Sequence, residues 1–134
     1  FNTATSGYQE SLTDPSYTGQ IVTFTYPHIG NYGVNDSDAQ SSGAHVRGMV
    51  VRDLAVHASS WRSVDTLSGW MHEHEIPGIS GVDTRRLTRH LRNAGAIPGA
   101  FGSADVDTLH KAAVADGGTL GRDLVAEVDR MMAA

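Results

Sequence analysis

The chain has 134 residues, of which 40% are hydrophobic and 19% charged, with 15 glycines; this is the size and profile of one globular domain with a single core. Ten basic residues against fifteen acidic ones leave a formal charge of −5, which argues against a protein built to grip a phosphate backbone. Cysteine is absent, which excludes disulfides, thiolate metal sites and cysteine nucleophiles from these residues and fits a reducing, cytoplasmic setting, and no apolar run approaches the roughly 20 residues of a transmembrane helix.

Along the chain, "TDPSYTGQ" (Thr13 to Gln20) comes first. Asp14-Pro15-Ser16 suits a turn, with proline fixing φ and aspartate able to bond onward amides. Ser16 also admits a ligand contact or a nucleophile. A serine nucleophile needs a base and a group to orient it; the nearest histidine in sequence is His28, and no G-x-S-x-G elbow surrounds Ser16.

Gln20 to Pro27, "QIVTFTYP", alternates β-branched and aromatic residues and predicts a strand with both faces at least partly buried. "HIGNYGVNDSDAQSSGAH" predicts mostly loop. Val46 to Val56 predicts a second strand. Ser63 predicts the N-cap of a short helix carrying Val64, Leu67, Trp70 and Met71, ended by Pro77 and Gly78. "GIS" predicts a short strand. Asp83 then caps a helix over "TRRLTRHLRNAG" with Leu87 and Leu91 on its buried face and Gly95 at C′. "AIPGAF" predicts another short strand. Val106, Leu109 and Ala113 mark a helix, "ADGGTLG" a turn, and Leu120, Leu124, Val125 and Val128 a last amphipathic helix. Strands alternating with helices predict an α/β domain.

Other candidate chemistry is thin. His72 and His74 in "HEHE" stand two apart, and such residues do not face each other on a helix; a metalloprotease helix needs histidines four apart. His28, His45, His57, His90 and His110 share no spacing. His28, at a strand end before the "IGNYG" loop, is the most exposed to a functional reading. Arg85, Arg86, Arg89 and Arg92 put four of the ten basic residues on one helix, a solvated or partner-facing surface rather than a DNA-reading one, given the acidic total. Neither "HIGNYG" nor "GISGVDTR" has a phosphate-loop order. Residue chemistry by itself gives an α/β domain with no self-contained active site.

The series "GYQE", "TDPSY", "TYPHIGNYG" and "DTRRLTRHLRNAG", with "GMVVRDL", "SSWRSVDTLSGWMHEHEIPGI" and "GRDLVAEV", resembles in order the N-terminal domain of the small, glutamine-hydrolysing subunit of carbamoyl-phosphate synthase. The similarity covers nearly the whole chain and is weakest across "SADVDTLHKAAVADGGT"; "TATSGYQE" stands where "TSMTGYQE" is commoner. The resemblance implies a layered β/β/α swivelling-type domain over 1–102, entered after its first N-terminal strands. It implies that 103–134 is a helical segment leading toward a class I amidotransferase domain. In that family the small subunit hydrolyses glutamine with a Cys-His-Glu triad in the amidotransferase domain. Ammonia passes to the large subunit, which uses ATP and Mg2+ to make carbamoyl phosphate from bicarbonate for arginine and pyrimidine synthesis.

The resemblance thus implies that this stretch is a domain of a cytoplasmic, heterodimeric enzyme, binding no cofactor or metal of its own and holding no catalytic residue. Its partners by resemblance are the large subunit and L-glutamine, with no nucleic acid and no membrane. Ser16 matches a family position that contacts the bound glutamine, through its hydroxyl or its amide. The competing reading is a stand-alone, non-catalytic interaction module of the same fold.

Overall fold

The computed structural model describes residues 1–119 and 121–132 of the chain. They divide into two compact units, residues 1–88 and 89–134. The first unit holds two parallel sheets. Strands β1 (Ile21–Thr23), β3 (Gly48–Val50) and β5 (Gly78–Ile79) lie in the order β1-β3-β5, and β2 (His28–Ile29) pairs with β4 (Asp53–Leu54). All these pairings are parallel, with Val22 opposite Met49, Met49 opposite Gly78 and Ile29 opposite Leu54. The α/β class is therefore borne out.

The run Val46 to Val56 is two strands rather than one. The Val51 N–H donates to the Ile79 carbonyl at 2.9 Å, while the Asp53 N–H donates to the Pro27 carbonyl at 3.1 Å. Within three residues the chain leaves one sheet and enters the other. The partner strand breaks at the same level. Four residues separate Thr23 from His28, but two separate Val50 from Asp53. The two additional residues are accommodated around Thr25-Tyr26-Pro27, where proline supplies no ladder donor. The expected strand over Gln20 to Pro27 is thus real but short, and His28, expected at a strand end, opens β2.

Helix α1 (Tyr8–Thr13) precedes β1, and α2 (Leu67–Glu73) joins β3 and β4 to β5. Tyr8, Leu12, Val22, Phe24, Ile29, Val34, Met49, Val51, Leu67 and Met71 form one buried cluster. Leu12 and Leu67 are fully inaccessible. β3 is buried along its whole length, as parallel strands covered on both faces are. The loop between β2 and β3 is as expected, apart from an antiparallel bridge between Val34 and Asp65. That bridge corrects the expected cap of α2. The Val64 N–H donates to the Val34 carbonyl at 2.9 Å, and the Val34 N–H to the Asp65 carbonyl at 3.0 Å. Residues 64–65 are held by these two bonds, so the helix starts later: Thr66, not Ser63, is the N-cap, its hydroxyl accepting from the Gly69 N–H at 3.1 Å. Val64 stays 66% exposed.

α3 (Thr84–Ala94) begins as expected, with the Asp83 carboxylate accepting from the Arg86 N–H at 3.0 Å. Its buried residue is Thr84, while Leu87 and Leu91 are half-buried. Gly95 takes the left-handed conformation (φ 82°) and donates to the Leu91 carbonyl at 2.8 Å, as a C′ glycine does.

In the second unit "AIPGAF" forms no strand; residues 96–100 are exposed and Pro98 removes a ladder donor. α4 (Val106–Asp116) is capped by Asp105, which accepts from the Thr108 N–H at 2.9 Å and its hydroxyl at 2.7 Å. These bonds hold the exposed Asp105 carboxyl below its usual range, the hydroxyl first. α5 (Leu124–Met132) follows the Gly117-Gly118 turn; Leu120 lies outside the described residues.

Candidate functional site

α1 carries two buried stripes. Tyr8 and Leu12, four apart, enter the core. Gln9 and Thr13, also four apart, are buried polar residues 3% and 1% exposed, and buried polar groups require partners. They find them in the loop between β2 and β3. Gln9 Nε2 donates to the Asn35 carbonyl at 2.6 Å, and Gln9 Oε1 accepts from the Asn35 N–H at 2.9 Å. Thr13 Oγ1 accepts from the Gln40 N–H at 2.8 Å and donates to the Gln9 carbonyl at 2.9 Å. Ser41 Oγ lies 2.8 Å from the Thr13 carbonyl and 2.6 Å from His45 Nε2.

The start of α1 is fixed the same way. The Tyr8 ring stacks on Tyr32 at 4.2 Å. Tyr8 Oη donates to the Gly33 carbonyl and Tyr32 Oη accepts from the Gly7 N–H, both at 2.6 Å. Burial pushes both phenols above their ordinary range, Tyr8 well above it, and for Tyr8 the proximity of Tyr32 adds to the effect. At Gly33 (φ 69°) an added Cβ would strike Ser63 Oγ and come within 2.6 Å of the Asp65 carbonyl oxygen and 2.8 Å of Ala58 Cβ. Glycine is required there on conformation and space alike.

α1 therefore ends on a fixed platform, and Ser16 stands just past it. Asp14 is extended, and Pro15–Tyr17 form a 3₁₀ turn. Asp14 Oδ1 accepts from the Ser16 N–H at 2.8 Å, while Gln20 Nε2 donates to the Ser16 carbonyl at 3.2 Å. Thr18 Oγ1 donates to the Pro15 carbonyl at 2.6 Å, and Asn2 Nδ2 reaches Tyr17 Oη at 3.3 Å. Both backbone polar groups of Ser16 are engaged by side chains. The residue is exposed, and its hydroxyl has no hydrogen-bond partner among the described residues.

This arrangement offers an outside ligand one hydroxyl, able to donate once and accept twice. It does not offer a nucleophile. Among the described residues no base bonds to Ser16 Oγ, and the Asp14 oxygen facing Ser16 is bonded to the amide rather than the hydroxyl.

The other candidates do not converge on this corner. His28 Nδ1 stands 4.0 Å from Asp53 Oδ2, with both side chains more than half exposed, and such a pair contributes little. In "HEHE", His74 caps α2, stacks on Trp70 at 4.3 Å and places Nδ1 2.9 Å from the Trp70 carbonyl oxygen, whereas His72 is exposed. His57, His90 and His110 are exposed as well. Among the described residues no three His, Asp or Glu side chains gather as metal ligands. Arg85, Arg86, Arg89 and Arg92 are exposed along α3, in no ion pair among the described residues. Sequence reasoning missed Tyr8, Gln9, Thr13, Gln20 and Tyr32. The signal available was the doubled spacing on α1, with polar Gln9 and Thr13 running beside apolar Tyr8 and Leu12.

The family described as carbamoyl-phosphate synthase small chain, CPSase domain, matches residues 1–101. The carbamoyl phosphate synthase small chain of Syntrophotalea carbinolica is 48% identical over 130 residues, covering 96% of this chain and 35% of that protein. The small chain of Thioalkalivibrio sulfidiphilus is 51% identical over 130 residues, or 96% of this chain and 34% of that protein. The pyrimidine-specific small chain of Bacillus subtilis is 52% identical over 107 residues, 80% of this chain and 29% of that protein. The chain spans about a third of the length of the curated relatives it matches.

Proposed function

The chain belongs to the carbamoyl-phosphate synthase small-chain family, and from that premise we propose that it is the N-terminal part of a subunit that releases ammonia from glutamine for a large subunit. The large subunit uses ATP and Mg2+ to condense that ammonia with bicarbonate into carbamoyl phosphate, in the cytoplasm, for arginine and pyrimidine synthesis. Residues 1–102 form the domain that supports association with the large subunit, and 103–134 lead toward the amidotransferase domain. Hydrolysis takes place there, on a cysteine that this stretch lacks. The layered swivelling-type arrangement is part of the same proposal.

The part of this stretch that serves the reaction is Ser16, which contacts glutamine bound by the neighbouring domain. The supporting observation is its exposed hydroxyl, without a partner among the described residues, on a turn whose backbone is already committed. A hydroxyl in that position suits the α-carboxylate or amino end of an amino acid at a domain seam.

The test uses the full-length small chain assembled with its large subunit. Losing a hydrogen bond to a charged group costs about 1.5–3 kcal/mol, so Ser16→Ala raises KM for glutamine about tenfold or more. Ammonia-dependent synthesis stays within about twofold of the parent, because ammonia bypasses the glutamine site. An unchanged glutamine KM refutes the contact. Residues 1–134 alone release no glutamate from glutamine above background, and measurable release would refute the division of labour.

A further inference from the structure

Ser16 is reached from two sides by the side chains of Asp14 and Gln20. Asp14 terminates α1 in an extended conformation, φ −78° and ψ 119°, and turns its carboxylate onward rather than back onto the helix. Its Oδ1 takes the Ser16 N–H at 2.8 Å. Gln20, one residue before β1, takes the Ser16 carbonyl with Nε2 at 3.2 Å, while its own N–H donates to the Tyr17 carbonyl at 3.0 Å. Gln20 is anchored in turn to the sheet, since its carbonyl accepts from the Arg47 N–H at 2.8 Å. The Ser16 turn is thereby tied to the end of α1 through Asp14 and to the edge of β1 through Gln20. Without the Asp14 acceptor the Ser16 N–H would turn to water, and the 3₁₀ turn would lose its side-chain cap.

Resting on the glutamine contact proposed for Ser16, we infer that Asp14 and Gln20 are positioning residues: they occupy both backbone groups of Ser16 and so aim its hydroxyl alone at the substrate. Neither touches glutamine. Their effect passes through Ser16, by holding one geometry of the turn in advance of binding. The alternative assigned to them is plain turn stability, which carries no dependence on Ser16.

The full-length small chain in complex with its large subunit distinguishes these. Asp14→Ala raises KM for glutamine about fivefold to tenfold, with ammonia-dependent synthesis unchanged. Asp14→Asn, which keeps an oxygen acceptor at the same place, stays within about twofold of the parent. Gln20→Ala gives a smaller rise of the same kind, its bond being longer and exposed. Combined with Ser16→Ala, neither substitution raises KM further, because the group they aim is gone.

A parent-like glutamine KM in Asp14→Ala while Ser16→Ala is impaired overturns the positioning role and leaves the Ser16 contact standing. So does a rise in KM that adds in full to that of Ser16→Ala. Loss of ammonia-dependent synthesis in Asp14→Ala overturns it in favour of turn stability alone. A parent-like KM in Ser16→Ala itself removes the glutamine contact, and the positioning role with it.

Discussion

Gln9 is the strongest test of how the first unit is held together. Its side-chain amide exchanges two hydrogen bonds with the backbone of Asn35, at 2.6 and 2.9 Å, from a residue 3% exposed. In Gln9→Ala both bonds go, at about 1 kcal/mol each. The freed N–H and C=O of Asn35 are only half-buried, so water covers them in part, and the residual desolvation adds about 1 kcal/mol. The total is about 3 kcal/mol. With a urea m-value of about 1.5 kcal/mol/M, the unfolding midpoint falls by about 2 M.

Gln9→Glu separates the two bonds. The carboxylate still accepts from the Asn35 N–H but sets a second oxygen against the Asn35 carbonyl. Only the protonated acid restores a donor there, so the folded pKa of this glutamate lies above its unfolded value of about 4.3. Its stabilising contribution is therefore fully present below about pH 4 and is lost as pH rises through the folded pKa. Measured as a difference from the parent, Gln9→Glu is nearly neutral at about pH 4 and approaches Gln9→Ala by about pH 7. A difference that does not change with pH, or a Gln9→Ala loss below about 0.5 kcal/mol, refutes the role given to this pair.

Three further outcomes rest on the same structure. Gly33→Ala combines a positive φ with contacts inside van der Waals distance and lowers stability by about 3 kcal/mol in urea unfolding; a loss under about 1 kcal/mol shows that the loop shifts freely. Thr66→Ala costs about 1 kcal/mol as the loss of a helix cap, whereas Ser63→Ala costs less; the reverse order would reinstate Ser63 as the cap. Burial raises the Tyr8 phenol, so its contribution is fully present below its unfolded pKa of about 10 and is lost as pH rises beyond it. The fall in urea midpoint above about pH 10 is therefore shallower in Tyr8→Phe than in the parent, and an identical fall assigns the alkaline loss elsewhere.

What is local, or carried by the order of motifs, was legible in the residues alone. Alternation in "IVTF" gave β1, and "GIS" gave β5. Asp83 and Gly95 bracketed α3 because an N-cap aspartate and a left-handed glycine act within one turn of the helix they bound. The ordered series from "GYQE" to "DTRRLTRHLR" pointed to the carbamoyl-phosphate synthase small-chain family, which the family match over residues 1–101 bears out.

Tertiary structure alone decided the rest. Periodicity cannot show that Val46 to Val56 changes sheet midway, because the change is made by partners at Pro27 and Ile79, far off in the chain. Ser63 and Thr66 both suit an N-cap in isolation; the bridge between Val34 and Asp65 chooses between them. "AIPGAF" has strand-like residues but no ladder to join. At Ser16 the sequence could not show which polar groups are already engaged. Asp14 and Gln20 take up the amide and the carbonyl, and the hydroxyl has no partner among the described residues.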